Sequence, residues 1–297
     1  MSGEMHILDK HDVSTGYELV VISDEWGGMP ISCRHLLRHF LPSVPLLWVE
    51  TIGLRSPGVS LYDVKRGLQK VSGWLNPRPA RHQDLPANLQ ILDPPQIPYN
   101  HNGVIRRLNL ALTTRAILHR CPRNPKRDRV LLTTWPFVGG VVGQIGEKLS
   151  IYYRVDDFAE FPGVRKDYIA RCEEELIGKV DMVVASSENL ADLRTRTRCV
   201  RYLPHGVDFE LFARASTRSG PPPVMREIPS PRVGFIGLLN SWLDFDLIAE
   251  VAVNHPQWAF VLIGPSQLRL GSLPRLPNLH YLGSVPYQEL PWASRQF

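Results

Sequence analysis

The chain has 297 residues, of which 43% are hydrophobic and 21% charged, with a formal net charge of +5. This composition excludes a disordered or fibrous chain and suits a globular protein of two domains. Mild basicity fits an anionic small molecule, a membrane surface or nucleic acid, and does not choose among them.

Cys33, Cys121, Cys172 and Cys199 are far apart and form no paired motif. That argues against a zinc site and a disulfide scaffold and fits a reducing cytosol. Residues 1–16 are polar and lack the apolar core of a signal peptide. No run approaches the ~18 apolar residues of a membrane span, so any membrane contact is expected to be peripheral.

In chain order, short apolar runs alternate with amphipathic stretches. Residues 18–23 read as a buried parallel strand and 32–40 as a helix. Strands are expected at 45–50 and, more weakly, at 90–93, with a long loop across 51–88. Residues 105–119 carry apolar positions at helical spacing. A strand follows at 130–134, then a Gly-containing helix at 138–145, a strand at 149–155 and a helix at 165–177 with charge on one face. A strand at 180–185, a short helix at 188–194 and an extended run at 199–203 complete the set. Such alternation predicts a parallel sheet with helices on both faces. Arg120, Arg123, Lys126, Arg127 and Arg129 share one polar stretch. It reads either as a solvated connection or as a surface for anionic lipid or a phosphorylated acceptor.

Pro204-His205-Gly206-Val207-Asp208 then takes the chain out of the sheet. Pro204 cannot donate to a ladder, Gly206 permits a sharp turn, and Asp208 can accept from the backbone just ahead of it. Residues 213–231 contain Pro221-Pro222-Pro223 and read as a linker. The pattern restarts with strands at 233–238, 259–264 and 279–282 around a helix at 243–253, followed by a helix start at 286–291. The expected organisation is therefore two Rossmann-like α/β domains: 1–212, a linker at 213–231, and a second, incomplete domain at 232–297. The smaller second unit is expected to be the less stable.

Ligands of open α/β sheets bind outside the carboxyl ends of the strands. The residues after each strand are the candidates. Gly27 and Gly28 would let backbone N–H groups approach a phosphate or sugar, or simply form a turn. Asp156 and Asp157 would cap the next turn, orient a hydroxyl and handle a proton, or hold a divalent metal. Arg154 could keep a carboxylate ionised or meet a phosphate. Ser187 and Glu188 open a helix, with Ser187 as its N-cap or its N–H groups facing a ligand. His205 is either a ligand contact or a packed hinge residue. Gly237 and Asn240 flank the turn that opens the second domain.

The ordered set resembles the GT-B retaining glycosyltransferases of the family 4, or group 1, type. The resemblance rests on the Gly27-Gly28 turn, the strand end Ala185-Ser186-Ser187-Glu188 and the Pro204-His205-Gly206-Val207-Asp208 crossover closing at Phe212. It also rests on 276–286 with its continuation Tyr287-Gln288-Glu289-Leu290-Pro291. Tyr153-Arg154-Val155-Asp156-Asp157-Phe158 looks like a subgroup in which carboxylates stand in the family's usual histidine region. The resemblance implies a nucleotide-sugar donor held mainly by the second domain and a glycan or lipid-linked acceptor docked mainly on the first. It also implies transfer with retention, catalysis involving Asp156 and Asp157, no bound metal or cofactor, and no nucleic-acid partner. Cysteine usage and mild basicity give a cytoplasmic place as the expectation, with any contact at the inner face of an anionic cell membrane being peripheral. Between 238 and 246 the sequence has neither the Arg nor the Lys that the family commonly places there. The family's acidic Glu-x7-Glu motif is expected beyond residue 297. The alternatives are a non-catalytic acceptor- or partner-binding remnant of such an enzyme and a GT-B sugar-nucleotide epimerase.

Overall fold

The run Leu19-Val20-Val21-Ile22 has no polar side to offer solvent, and in the computed structural model it lies at the centre of a parallel sheet. The structure describes residues 16–28, 31–51, 85–97, 101–192, 199–214, 220–268, 271 and 273–297. Most of the loop expected at 51–88 and the end of the helix expected at 188–194 lie outside them. The chain divides into two units, Met1–Gly206 and Val207–Phe297.

The first unit contains seven strands: β1 (Tyr17–Ser23), β2 (Leu46–Glu50), β3 (Leu89–Leu92), β4 (Asp128–Thr133), β5 (Leu149–Arg154), β6 (Met182–Ala185) and β7 (Val200–Tyr202). Their order is β3-β2-β1-β4-β5-β6-β7 and every pair is parallel. Consecutive strand residues point to opposite faces. Val20, Ile22 and Leu131 pack on one side with Ile117 of α2 (Gly103–Arg120) and Ile169 of α3 (Lys166–Ile177). Val21, Trp48 and Leu132 pack on the other with Cys33 and Leu37 of α1 (Ser32–Leu37). The short α4 (Glu188–Ala191) follows β6.

One expected helix does not form. Residues 138–145 give only a 3-10 turn at Pro136–Val138 followed by further turns. Gly143 and Gly146 adopt φ of 80° and 71°, which an α-helix cannot contain. A Cβ on Gly139 would lie 3.3 Å from the Leu176 Cα, so the apolar run serves close packing against α3.

At the amino ends of the strands, Glu18 and Arg129 are direct partners across β1 and β4. Arg129 Nε donates to Glu18 Oε1 at 2.7 Å, and its two terminal nitrogens donate to the Ile145 and Cys121 carbonyls at 2.7 Å each. Arg129 therefore leaves the basic surface in which the sequence places it and ties three segments together inside the fold.

In the second unit, α5 (Phe209–Arg214) opens under Asp208, whose Oδ1 accepts from Leu211 N at 3.1 Å. Gly206 shows neither a left-handed φ nor a neighbour within 4 Å of a built Cβ, so the turn does not depend on glycine there. Strands β8 (Arg232–Ile236), β9 (Ala259–Ile263) and β10 (Leu279–Gly283) form a parallel sheet ordered β10-β9-β8, with α6 (Phe245–Asn254) and α7 (Leu290–Ser294) alongside. Part of the segment read as a linker belongs to this unit. It makes a 3-10 turn at Pro223–Met225 and buries Met225 and Ile228 against Val261 and Ile263. The division between units falls at 206/207 and not at 212/213.

Two outcomes follow from this packing. Arg129→Met leaves Glu18 buried and unpaired and is expected to lower unfolding free energy by about 3–5 kcal/mol in denaturant titration. Loss under 1 kcal/mol would show that the pair is not a structural bolt. In the second sheet β9 is wholly buried, whereas Val233 and Ile236 of edge strand β8 are 44% and 36% exposed. Amides of 232–297 are expected to exchange faster than those of β1, β4 and β5; equal protection would contradict this.

Candidate active site at the carboxyl ends of the first sheet

The strand order reverses at β1. The chain builds outward to β2 and β3, then crosses back to add β4 on the other side. Such a reversal opens a crevice at the carboxyl ends of the two strands. Here the rim is fastened by Ser23 Oγ and Thr134 Oγ1, 2.8 Å apart, and by Thr134 N donating to Ile22 O at 3.1 Å.

Asp24 leaves β1 at this point. Burial pushes its carboxyl up to about 6; a hydrogen bond from its own backbone amide opposes the shift, and the Asp156 carboxylate adds to it. Asp156 follows β5, two strand spacings or about 10 Å along the sheet. Asp156 itself is raised above the ordinary range, first by desolvation against the surrounding protein, with His205 countering and Asp157 adding. The structure thus places Asp156, after β5, within electrostatic reach of Asp24 after β1, of Asp157 beside it and of His205 after β7. Asp24 is the member the sequence reading did not select. A carboxylate close behind the apolar run 19–22 is the signal for it.

The turn after Asp24 is held from several sides. Trp48 Nε1 donates to Asp24 O at 2.7 Å, and Trp26 N donates to Glu50 Oε1 at 2.9 Å. The Trp26 and Trp48 rings meet edge to face at 4.9 Å. Arg34 donates to the Trp26 carbonyl and, at 3.3 Å, to the Gly28 carbonyl. Gly28 N closes the turn on Glu25 O at 3.0 Å, while Gly27 and Gly28 stand exposed at its tip. This turn is a rigid platform beside Asp24.

The other candidates separate by what they touch. Asp157 precedes the 3-10 turn Phe158–Glu160, but its side chain makes no capping hydrogen bond. Ser187 does cap: its Oγ accepts from Leu190 N at 3.2 Å, and Glu188 beside it is exposed. Arg154 is held by protein partners. Its Nε and one terminal nitrogen each donate to Glu173 at 2.9 Å, and the other terminal nitrogen donates to Leu190 O at 2.9 Å. Glu173 also accepts from Tyr152 OH at 2.7 Å, so this guanidinium joins β5, α3 and α4.

Gly237 and Asn240 lie in the second unit. Gly237 N donates to Ile263 O at 2.9 Å, and a Cβ on Gly264 would sit 1.8 Å from Gly237 O. Asn240 is buried; its Nδ2 donates to Gln267 Oε1 at 2.8 Å and its Oδ1 accepts from Ser241 N at 2.7 Å. Among the described residues no His, Cys, Asp and Glu group has metal-binding geometry. No described helix is long and apolar enough to cross a membrane.

A carboxyl held above its unfolded value stabilises the fold only while protonated. For Asp24 that contribution is complete below about pH 4 and is lost as pH rises through about 6. Asp24→Asn, neutral at every pH, is expected to unfold at higher denaturant than the native chain at pH 7.5, by about 1–3 kcal/mol after allowing for solvent screening, and to match it near pH 4. A variant difference independent of pH would refute the buried-carboxyl assignment.

No protein-family model matches the chain. A Bacillus subtilis protein provisionally described as a teichuronic acid biosynthesis glycosyltransferase, TuaH, is 29% identical over 136 residues, covering 43% of this chain and 34% of that protein. The match therefore spans about a third of the relative's length. Among solved structures, an E. coli trehalose-6-phosphate protein bound with UDP-2-fluoro glucose aligns over 94% of this chain and 76% of its own, with TM-score 0.54 and 13% identity. The trehalose 6-phosphate synthase of Burkholderia multivorans aligns over the same shares with TM-score 0.58 and 13% identity. Two parallel Rossmann-like units, the first with seven strands reversing at β1, give this chain the fold of the GT-B glycosyltransferases.

Proposed function

We propose that the chain is part of a GT-B glycosyltransferase that moves a sugar from a nucleotide-sugar donor to a hydroxyl of a glycan or lipid-linked acceptor, with retention at the anomeric carbon. The observation that carries this reading is Asp24, a partly buried carboxyl with a pKa of about 6, gathered with Asp156 at the point where the strand order reverses. The likeness to a protein described as a glycosyltransferase supports the same reading.

Sugar transfer breaks the bond between C1 and the diphosphate oxygen, forms a bond between C1 and the acceptor oxygen, and releases the acceptor's proton. A carboxyl poised near neutral pH accepts and passes on such a proton more readily than one at the ordinary value. Asp24 is suited to that role. Asp156 and Asp157 would orient the acceptor hydroxyl, with His205 as a nearby donor and the Gly27-Gly28 turn as the surface on which the acceptor rests. On this reading Ser187 and Arg154 support the site through α4 and β5 and touch no substrate.

The test is nucleoside diphosphate release from a panel of nucleotide sugars, with and without polyprenyl-linked and free glycan acceptors, and product anomers assigned by NMR. Acceptor-dependent release is expected. Asp24→Asn and Asp156→Asn are each expected to lower kcat by about 10²–10⁴-fold. Ser187→Ala should cost about 1 kcal/mol of stability and leave the rate within a few-fold. Sugar isomerisation without acceptor would favour an epimerase, and no turnover with no diphosphate binding by the folded chain would favour a non-catalytic remnant.

A further inference from the structure

A helix on a domain surface ordinarily turns its apolar stripe inward and its polar residues to water. Helix α2 departs from this: it buries a mixed side and leaves aliphatic residues outside. Its buried positions are Asn109, Thr113 and Ile117. Asn109 exchanges two 2.8 Å hydrogen bonds with the Ile97 backbone, so the polarity inside serves to hold that segment. The outward stripe carries Val104, Leu108 and Leu118, which are 74%, 45% and 42% exposed. At 3.6 residues per turn these three share one side of the helix with Arg107 and Arg115, both exposed. Core packing explains none of these outward apolar side chains.

The charge on this surface has one sign. No acidic residue occurs from His101 to Arg127. Arg106 is paired with Glu175 on the inner side, whereas Arg120, Arg123 and Lys126 extend the cationic strip from the end of α2 into the following turn.

We propose that this face of α2 is a docking surface for an anionic lipid bilayer. The helix would lie parallel to the surface, with Val104, Leu108 and Leu118 entering the acyl boundary and the arginines meeting phosphate headgroups. A second copy of the chain is a poor occupant, because it would bring the same cationic strip against itself. Nucleic acid would satisfy the charges and leave the aliphatic side chains with nothing to enter. The inference stands whether or not the chain transfers sugar.

The experiment is co-sedimentation of the full chain with phosphatidylglycerol–phosphatidylcholine vesicles and with pure phosphatidylcholine vesicles, at low and high salt. Binding to the anionic vesicles and release by salt are expected. Arg107→Ser with Arg115→Ser should weaken binding about 30-fold, at about 1 kcal/mol per charge, and Leu108→Ser should weaken it several-fold. Removing cations elsewhere, by Arg171→Ser with Arg201→Ser, should change it by less than about twofold. On the native chain, hydrogen exchange along 103–120 should slow when anionic vesicles are added. Equal binding to neutral vesicles, no binding to anionic ones, preference for a DNA oligonucleotide over the vesicles, insensitivity to the α2 substitutions, or unchanged exchange along 103–120 would each overturn the proposal.

Discussion

The pairing of β1 with β4 is the contact on which the first unit depends. These two strands are neighbours in space but are separated in sequence by β2, β3 and α2. Hydrophobic burial alone would hold them loosely in register, because their central residues are interchangeable aliphatics. Polar fastenings at the two ends remove that freedom. At the amino end Glu18 meets Arg129 directly across the strands, and a one-residue slip would leave both ions buried and unpaired. At the carboxyl end Ser23 meets Thr134. The register thus fixed sets where Asp24 emerges, and with it the local environment that lifts its carboxyl.

Two sets of charges near β5 show how the same residue types serve different ends. Arg154, Glu173 and Tyr152 satisfy one another and the Leu190 carbonyl, so a charged group near the sheet end becomes part of the framework. Asp24 and Asp156 are set differently: desolvation is the largest influence on each, opposed by a backbone amide at Asp24 and by His205 at Asp156. They are of like charge, partly desolvated, and each raised above its ordinary range. A fold gains nothing from such an arrangement, since ionising Asp24 at neutral pH works against the native state. Groups kept in this condition at a strand-order reversal are what a proton-handling site requires, and that distinction separates them from the ion pairs beside them.

Much of this was legible in the sequence. The strands stood out because a parallel sheet covered on both faces needs unbroken aliphatic runs, and 19–22 and 130–132 are such runs. Asp208 was legible as a cap because its reach to the next turn is local. The failures share a cause. Residues 138–145 carry an apolar run read as a Gly-containing helix, yet Gly143 and Gly146 take left-handed φ, and Gly139 packs closely on Leu176 of α3. Arg129 reads as one more cation in a basic stretch, and only the register with Glu18 reveals it as buried. Arg154 reads as a group that could keep a carboxylate ionised or meet a phosphate, and only the fold of α3 shows Glu173 beside it. In each case the deciding partner lies on another element, where local pattern carries no information.

Helix α2 sharpens that point. Periodicity identifies a helix with an apolar stripe, but it does not say which way the stripe faces, and the ordinary assumption is inward. The burial of Asn109 and Thr113 overturns that assumption here. Once the packed side is known to hold Asn109 and Thr113 beside Ile117, the aliphatic side chains outside and the absence of acidic residues become a single fact. A surface both greasy and uniformly cationic is costly to leave in water and gains from only a narrow class of environments. A bilayer with anionic headgroups supplies both the apolar depth and the countercharge in one layer. A protein partner would need an acidic, apolar face of matching length to do the same. Docked as proposed, this helix would limit where the sheet it packs on can sit, and a lipid-linked acceptor is the substrate class that such a position would make accessible.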